Sequence, residues 1–223
     1  MSSRPDSIRP DSIRADSIRA GHFPDLPRQR LAGELGMWVF LATEILFFGG
    51  LFTGYAVYRL QYPDAVTEAA RHTDVLLGSV NTFLLLTSSL LVALAVACQD
   101  RPGLRLCRLF LGGAIALGLG FLAVKAVEYH ADLAEGLVPW PGSSLPPGPQ
   151  RLFFAFYWAM TGVHAVHMTV GIALLGWMFR DLRARPKLMR GTARLEVAGL
   201  YWHFVDAVWI FLYPLLYLVG RAQ

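Results

Sequence analysis

Five long apolar runs, at about 31–58, 75–98, 104–130, 152–180 and 195–219, leave this chain few folds to choose from. Each exceeds the roughly 20 residues that an α-helix needs to cross about 30 Å of hydrocarbon at 1.5 Å per residue. Lipid offers no partners to backbone N–H and C=O groups, so only helices and closed barrels span it. A barrel strand needs only about 10 residues, far fewer than these runs contain. Charge is thinned inside the runs and bunched between them, whereas a soluble domain spreads charge along every element. The expected fold is therefore an all-α integral membrane protein, a bundle of five transmembrane helices within residues 31–220.

The twenty Lys and Arg residues set the expected orientation, because positive charge accumulates on the cytoplasmic side. Arg4, Arg9, Arg14, Arg19, Arg28 and Arg30 precede the first span. Arg101, Arg105 and Arg108 follow the second, and Arg180, Arg183, Arg185, Lys187, Arg190 and Arg194 follow the fourth. These three segments share one side of the membrane. The other side has Arg59, Arg71, Arg151 and Arg221, with Lys125 inside the third span. The N-terminus is expected to be cytoplasmic and the C-terminus outside. On this reading the net charge of +4 reports topology and not binding of nucleic acid.

Residues 1–30 are expected to form a disordered cytoplasmic tail. They repeat "RPDSI", "RPDSI", "RADSI" with a period of five that fits neither helix nor strand, and they contain few apolar residues. No apolar core of a signal peptide is present there. Residues 131–150 are rich in Pro and Gly and should cap one end of the bundle. Short connections elsewhere predict that successive spans lie side by side and antiparallel. Small residues at Gly112, Ala116 and Gly120, and at Gly50 and Gly54, are expected to let helix backbones approach. Cys98 and Cys107 lie on the reducing side and should remain free thiols.

The informative residues are those that cost energy in hydrocarbon: Glu44, Lys125, Glu128, His164, His167, Glu196, His203 and Asp206. A charge at mid-membrane costs about 2.5–3.5 kcal/mol on insertion scales, so such groups must face protein, water or each other. Glu196, Gly199, His203, Asp206 and Ile210 advance by steps of three and four and form one stripe on the fifth span, expected to be buried, with Trp209, Phe211 and Leu212 turned elsewhere. His203 and Asp206 can share a proton through a direct or water-bridged hydrogen bond, either as an interhelical clamp or as a relay. His164 and His167 could ligate a metal, or a haem together with His203, but three or four ligands are the norm. Histidines satisfied by neighbouring carboxylates are the preferred reading. Glu44 is the only carboxyl near the middle of its span, and burial favours its neutral form unless a histidine of the fourth span compensates its charge. Lys125 and Glu128 read as an i, i+3 ion pair with the lysine snorkelling outward.

Five motifs stand together in order: "GMWVFLATEILFFGGLF" (36–52), "LLGSVNTFLLLTSS" (76–89), "KAVEYH" (125–130), "MTGVHAVHMTVGIALL" (160–175) and "EVAGLYWHFVDAVWIFLYPLLY" (196–217). With them the chain resembles subunit III of the haem-copper respiratory oxidases, the cytochrome c oxidase subunit 3 family, in its five-helix bacterial form. Seven-helix members begin two helices earlier, and those two helices form one wall of a lipid cleft.

The resemblance implies a subunit of a proton-pumping terminal oxidase in the bacterial cytoplasmic (inner) membrane, without a catalytic residue or metal of its own. Haem and copper are expected in the partner subunits I and II, with phospholipid bound between helices. Such a subunit sustains proton and oxygen supply and protects the catalytic subunit from inactivation. By the same resemblance Glu44 falls on the family's intramembrane glutamate, and His164, His167, Glu196, Trp202, His203 and Asp206 fall on its recurring motif positions. The alternatives are an accessory subunit of a quinol oxidase or nitric oxide reductase and, from another class, a free-standing proton or ion transporter.

Overall fold

A computed structural model describes residues 26–99, 104–145, 147–184 and 193–219. The pentapeptide repeat and part of the basic loop after the fourth span, including Lys187 and Arg190, lie outside the described residues. Six helices occur among those described: α1 (Leu26–Gln61), α2 (Pro63–Ala70), α3 (Val75–Cys98), α4 (Arg105–Ala134), α5 (Pro149–Ala184) and α6 (Arg194–Tyr217). All but α2 are long and apolar enough to cross a membrane.

The helix ends follow local chemistry. Pro63 opens α2, where the missing N–H costs nothing and φ is already set. The Asp74 carboxylate caps α3, with Oδ1 accepting from the N–H groups of Leu76 at 2.8 Å and Leu77 at 3.1 Å. At the end of α4, Gly136 takes φ +70°, and the N–H groups of Gly136 and Leu137 donate to the carbonyls of Leu133 and Asp132. That is the Schellman arrangement, and a Cβ at Gly136 would also collide with Ser144 Oγ. The following loop closes over the bundle as expected: Leu137 and Val138 are buried, and the Trp158 indole donates to the Leu137 carbonyl at 2.9 Å.

α6 is the centre of the bundle and α1 its edge. In their most apolar windows, 56% of α6 is buried against 11% of α1. α6 packs on α3, α5 and α1; α4 packs on α3 and α5; α2 lies against α5. The first two spans were expected to be neighbours, but α1 leans on α6 and α5 instead of α3. The α2 segment supplies the length for this displacement: Val66, Ala69 and Ala70 are buried, and α2 itself packs on α5.

The α6 stripe also needs correction. Its buried side is Leu195, Ala198, Trp202, Val205, Trp209, Leu212 and Leu216 together with Asp206, whereas Ile210 is 47% exposed. Trp209 is 1% exposed because it enters the core, packing edge-on to Phe121 and donating its indole N–H to Thr82 Oγ1 at 3.1 Å. Trp202 decides where the small residues matter. A Cβ on Gly118 would come 2.7 Å from Trp202 Cη2, and one on Gly171 would come 3.0 Å from Cε3. The Gly112–Ala116–Gly120 line is not that contact, since Ala116 is exposed, and Gly50 has nothing within 4 Å of where a Cβ would stand.

Candidate functional site

Four polar centres occupy the interior, each built across helices. The first joins α1 to α5. Glu44 is enclosed because this part of α1 faces the bundle, beside the buried Leu41 and Phe48. Its Oε2 stands 3.0 Å from His167 Nε2, while His167 Nδ1 lies 2.9 Å from the Val163 carbonyl one turn earlier. A carbonyl only accepts, so this contact calls for the ring hydrogen on Nδ1 and leaves Nε2 facing the Glu44 carboxyl. A hydrogen bond between Nε2 and Oε2 then needs one proton, on either atom. Placed on the carboxyl it makes a neutral pair, and placed on the imidazole an ion pair, with the same total charge. The Phe48 ring packs edge-on to His167 at 5.3 Å and limits water there.

His164, three residues earlier, points elsewhere. It is buried between Phe121 at 5.5 Å and Trp209 at 5.2 Å, and neither ring nitrogen has a hydrogen-bond partner among the described residues. The expectation that a carboxylate would satisfy both histidines thus fits His167 but not His164. Residues three apart diverge by about 60° around a helix, enough to send one ring to α1 and the other into the core.

The second centre lies at the end of the bundle capped by the 135–148 loop, and it overturns the outward-snorkelling Lys125. Lys125 and Glu128 are 2% and 3% exposed, and their ion pair is 3.1 Å long. The ammonium has three hydrogens, which go to Glu128 Oε2, the Tyr157 hydroxyl at 3.2 Å and the Tyr217 hydroxyl at 2.9 Å. Tyr217 donates onward to Glu128 Oε1 at 2.6 Å. Tyr157 lies 2.8 Å from that same oxygen and 3.0 Å from Asp132 Oδ2. Full satisfaction inside beats the short reach to water, because a buried charge without partners costs far more than one with three. The two tyrosines and Asp132 were not singled out from sequence. The one available sign was Asp132 four residues after Glu128, on the same helical face.

In the third centre the pair expected to share a proton makes no direct bond. His203 Nδ1 is 2.7 Å from Ser89 Oγ on α3, and Asp206 makes no hydrogen bond among the described residues. Ser89 is the polar neighbour of both, so the direct His203–Asp206 bond is replaced by a contact to α3. The fourth centre ties the other end of α6 to α3, where Gln99 Nε2 donates to Glu196 Oε1 at 2.8 Å. Among the described residues, no three His, Cys, Asp or Glu side chains group closely enough to hold a metal ion. Cys98 and Cys107 are free, the latter with its thiol 3.3 Å from the Ala95 carbonyl.

Comparison with known proteins gives one consistent result. A family model described as cytochrome c oxidase subunit III matches residues 21–221. Cytochrome c oxidase subunit 3 of Synechocystis sp. is 34% identical over 188 residues, covering 82% of this chain and 74% of that protein. The protein of the same name from Thermostichus vulcanus is 32% identical, covering 84% of this chain and 87% of its own. Quinol oxidase subunit 3 of Bacillus subtilis is 29% identical, covering 83% and 86%.

Proposed function

Since the chain belongs to the cytochrome c oxidase subunit III family of the haem-copper oxidases, we propose that it is the accessory subunit of a proton-pumping terminal oxidase. In this reading it lies in a bacterial inner membrane, N-terminus cytoplasmic and C-terminus outside, against subunits I and II, which hold the haem and copper. Cytochrome c is the proposed electron donor. The observation that carries this reading is the Glu44–His167 pair. It sets a carboxyl oxygen 3.0 Å from an imidazole nitrogen across two helices, with the imidazole's other nitrogen 2.9 Å from the Val163 carbonyl. That pair lets a carboxyl be kept inside the bundle without net charge; by itself it is no site for reducing oxygen.

The other interior polar groups support the same role, for they are largely engaged with one another: His203 with Ser89, Glu196 with Gln99, Lys125 with Glu128 and two tyrosines. Phospholipid fits a hollow between α4 and α5, where Arg105, Arg108 and Arg183 rise beside Leu109, Gly113 and Phe179. The guanidinium groups suit a phosphate and the apolar floor suits an acyl chain. Supply of protons and oxygen to the catalytic subunit, and its protection during turnover, complete the proposal.

The test is to delete the chain from its native membrane and follow oxygen consumption over many turnovers. Faster inactivation, restored by re-expression, supports the proposal; an unchanged lifetime and rate contradict it. A second reading, with quinol as donor, is favoured by the similarity to quinol oxidase subunit 3 over a comparable share of the chain. It would be recognised by oxidase activity that follows quinol and not reduced cytochrome c.

A further inference from the structure

The hydrogens at the Lys125 centre do not suffice for its contacts. Tyr157 has one hydroxyl hydrogen and two carboxylate neighbours, Glu128 Oε1 at 2.8 Å and Asp132 Oδ2 at 3.0 Å. It already accepts from the Lys125 ammonium at 3.2 Å. If both carboxyls were ionised, one of the two short oxygen–oxygen contacts would contain no hydrogen and would be repulsive. A single added proton removes the conflict. Placed on Asp132, it is donated to the Tyr157 oxygen, which frees the Tyr157 hydrogen for Glu128 Oε1. Every short contact then has its hydrogen, and charge closes as well, with one ammonium against one carboxylate. Placing the proton on Glu128 would instead neutralise the carboxylate lying 3.1 Å from the ammonium and leave the more distant one charged.

Asp132 is also the member with a way out. It is 9% exposed against 2% and 3% for Lys125 and Glu128, and it sits in the last turn of α4, where the Schellman end fixes its carbonyl. The titratable groups around it are Lys125 and Glu128 on its own helix, Glu135 just past the end of that helix, Tyr157 from α5 and, through Glu128, Tyr217 from α6. Tyr129 borders the site, with the Lys125 ammonium 4.7 Å from its ring centroid and its hydroxyl engaged by Thr161 at 2.7 Å. No charged side chain of α3 joins these hydrogen bonds among the described residues.

We propose that Lys125, Glu128, Asp132, Tyr157 and Tyr217 form a proton-binding site that holds one exchangeable proton on the Asp132 carboxyl and passes it to water at the loop-capped end of the bundle. Release breaks the carboxyl O–H bond, hands the proton to water and leaves the site with one net negative charge. Tyr157 then directs its hydrogen to one carboxylate at a time. The site concerns this chain alone and holds for either electron donor.

Infrared difference spectra of the full chain in its native complex test this, read in the carboxylic C=O region in light and heavy water. The wild type should show a protonated carboxyl band that shifts in heavy water and converts to carboxylate as pH rises. Asp132→Asn, which mimics the neutral acid, should lose that band, and Glu128→Gln should keep it. Tyr157→Phe should keep the band and move it, because the acid loses its acceptor; this variant serves where Asp132→Asn fails to assemble. The proposal is overturned by a band that survives Asp132→Asn, by one that disappears in Glu128→Gln instead, or by one that Tyr157→Phe leaves in place.

Discussion

Glu44 Oε2 and His167 Nε2 stand 3.0 Å apart across α1 and α5, and the second nitrogen of the ring is committed to Val163, 2.9 Å away. The pair joins α1 to α5 by a direct carboxyl–imidazole contact inside the bundle. Glu44→Gln replaces it with an amide that can donate to the neutral ring. This variant should assemble normally but shorten the working life of the oxidase or slow its proton or oxygen supply. Turnover, pumping and inactivation lifetime all equal to wild type would assign Glu44 a purely structural role.

His167→Ala is a harsher change, because it leaves the Glu44 carboxyl half-buried with no partner. An orphaned buried polar group costs about 1–3 kcal/mol. The purified subunit should melt several degrees lower in detergent, and it should release α1 to protease first, since α1 is the least buried span.

The Lys125 centre predicts an asymmetry. Lys125→Met abandons the Glu128 carboxylate without a counter-charge and should destabilise by about 3–5 kcal/mol. Lys125→Met combined with Glu128→Leu should recover much of that loss, because replacing both members of a buried pair by apolar groups is often neutral. A double-mutant cycle on thermal unfolding measures it; additive losses would mean that the ion pair is not coupled as the geometry requires.

Gly118 and Gly171 make room for the six-membered ring of the Trp202 indole, Gly118 at Cη2 and Gly171 at Cε3. Gly118→Leu should therefore block the docking of α6 on α4 and α5 and lower the yield of folded protein sharply. Gly50→Ala, with open space around it, should be neutral. Equal yields from both variants would refute the tight contact.

Asp206 makes no hydrogen bond among the described residues and is 3% exposed. Asp206→Leu should thus leave thermal stability and retention in the complex unchanged or improved, since an unsatisfied buried group is lost. Ser89→Ala should weaken both, because it removes the α3 partner of His203. The opposite ranking would restore Asp206 as a clamp.

The sequence carried the spans well because burial in lipid writes a simple code: length and apolar content alone located all five. It also put the polar groups in the interior, and it named a histidine of the fourth span as a partner open to Glu44. What it could not convey was direction. Lys125 near a helix end reads as a residue reaching for water, and only the approach of Tyr157 and Tyr217 from two other helices reveals the inward turn. The same holds for His203 and Asp206, whose spacing suggests a local pair until Ser89 of α3 enters. Trp209 was misread as a peripheral side chain because size and apolarity do not say which way an indole points. The missed neighbour relation, α1 beside α6 and α5 instead of α3, depends on the short α2 helix, which apolar periodicity of this length cannot announce.

The account rests on the chain working inside an oxidase, and tagged purification of the full chain from its native membranes in mild detergent tests that most directly. The expected result is a complex in which this chain accompanies larger membrane subunits, shows the optical bands of haem and copper, and consumes oxygen with reduced cytochrome c or quinol. Recovery of the chain by itself from those membranes, folded and without haem or oxygen consumption in the same fraction, would contradict it.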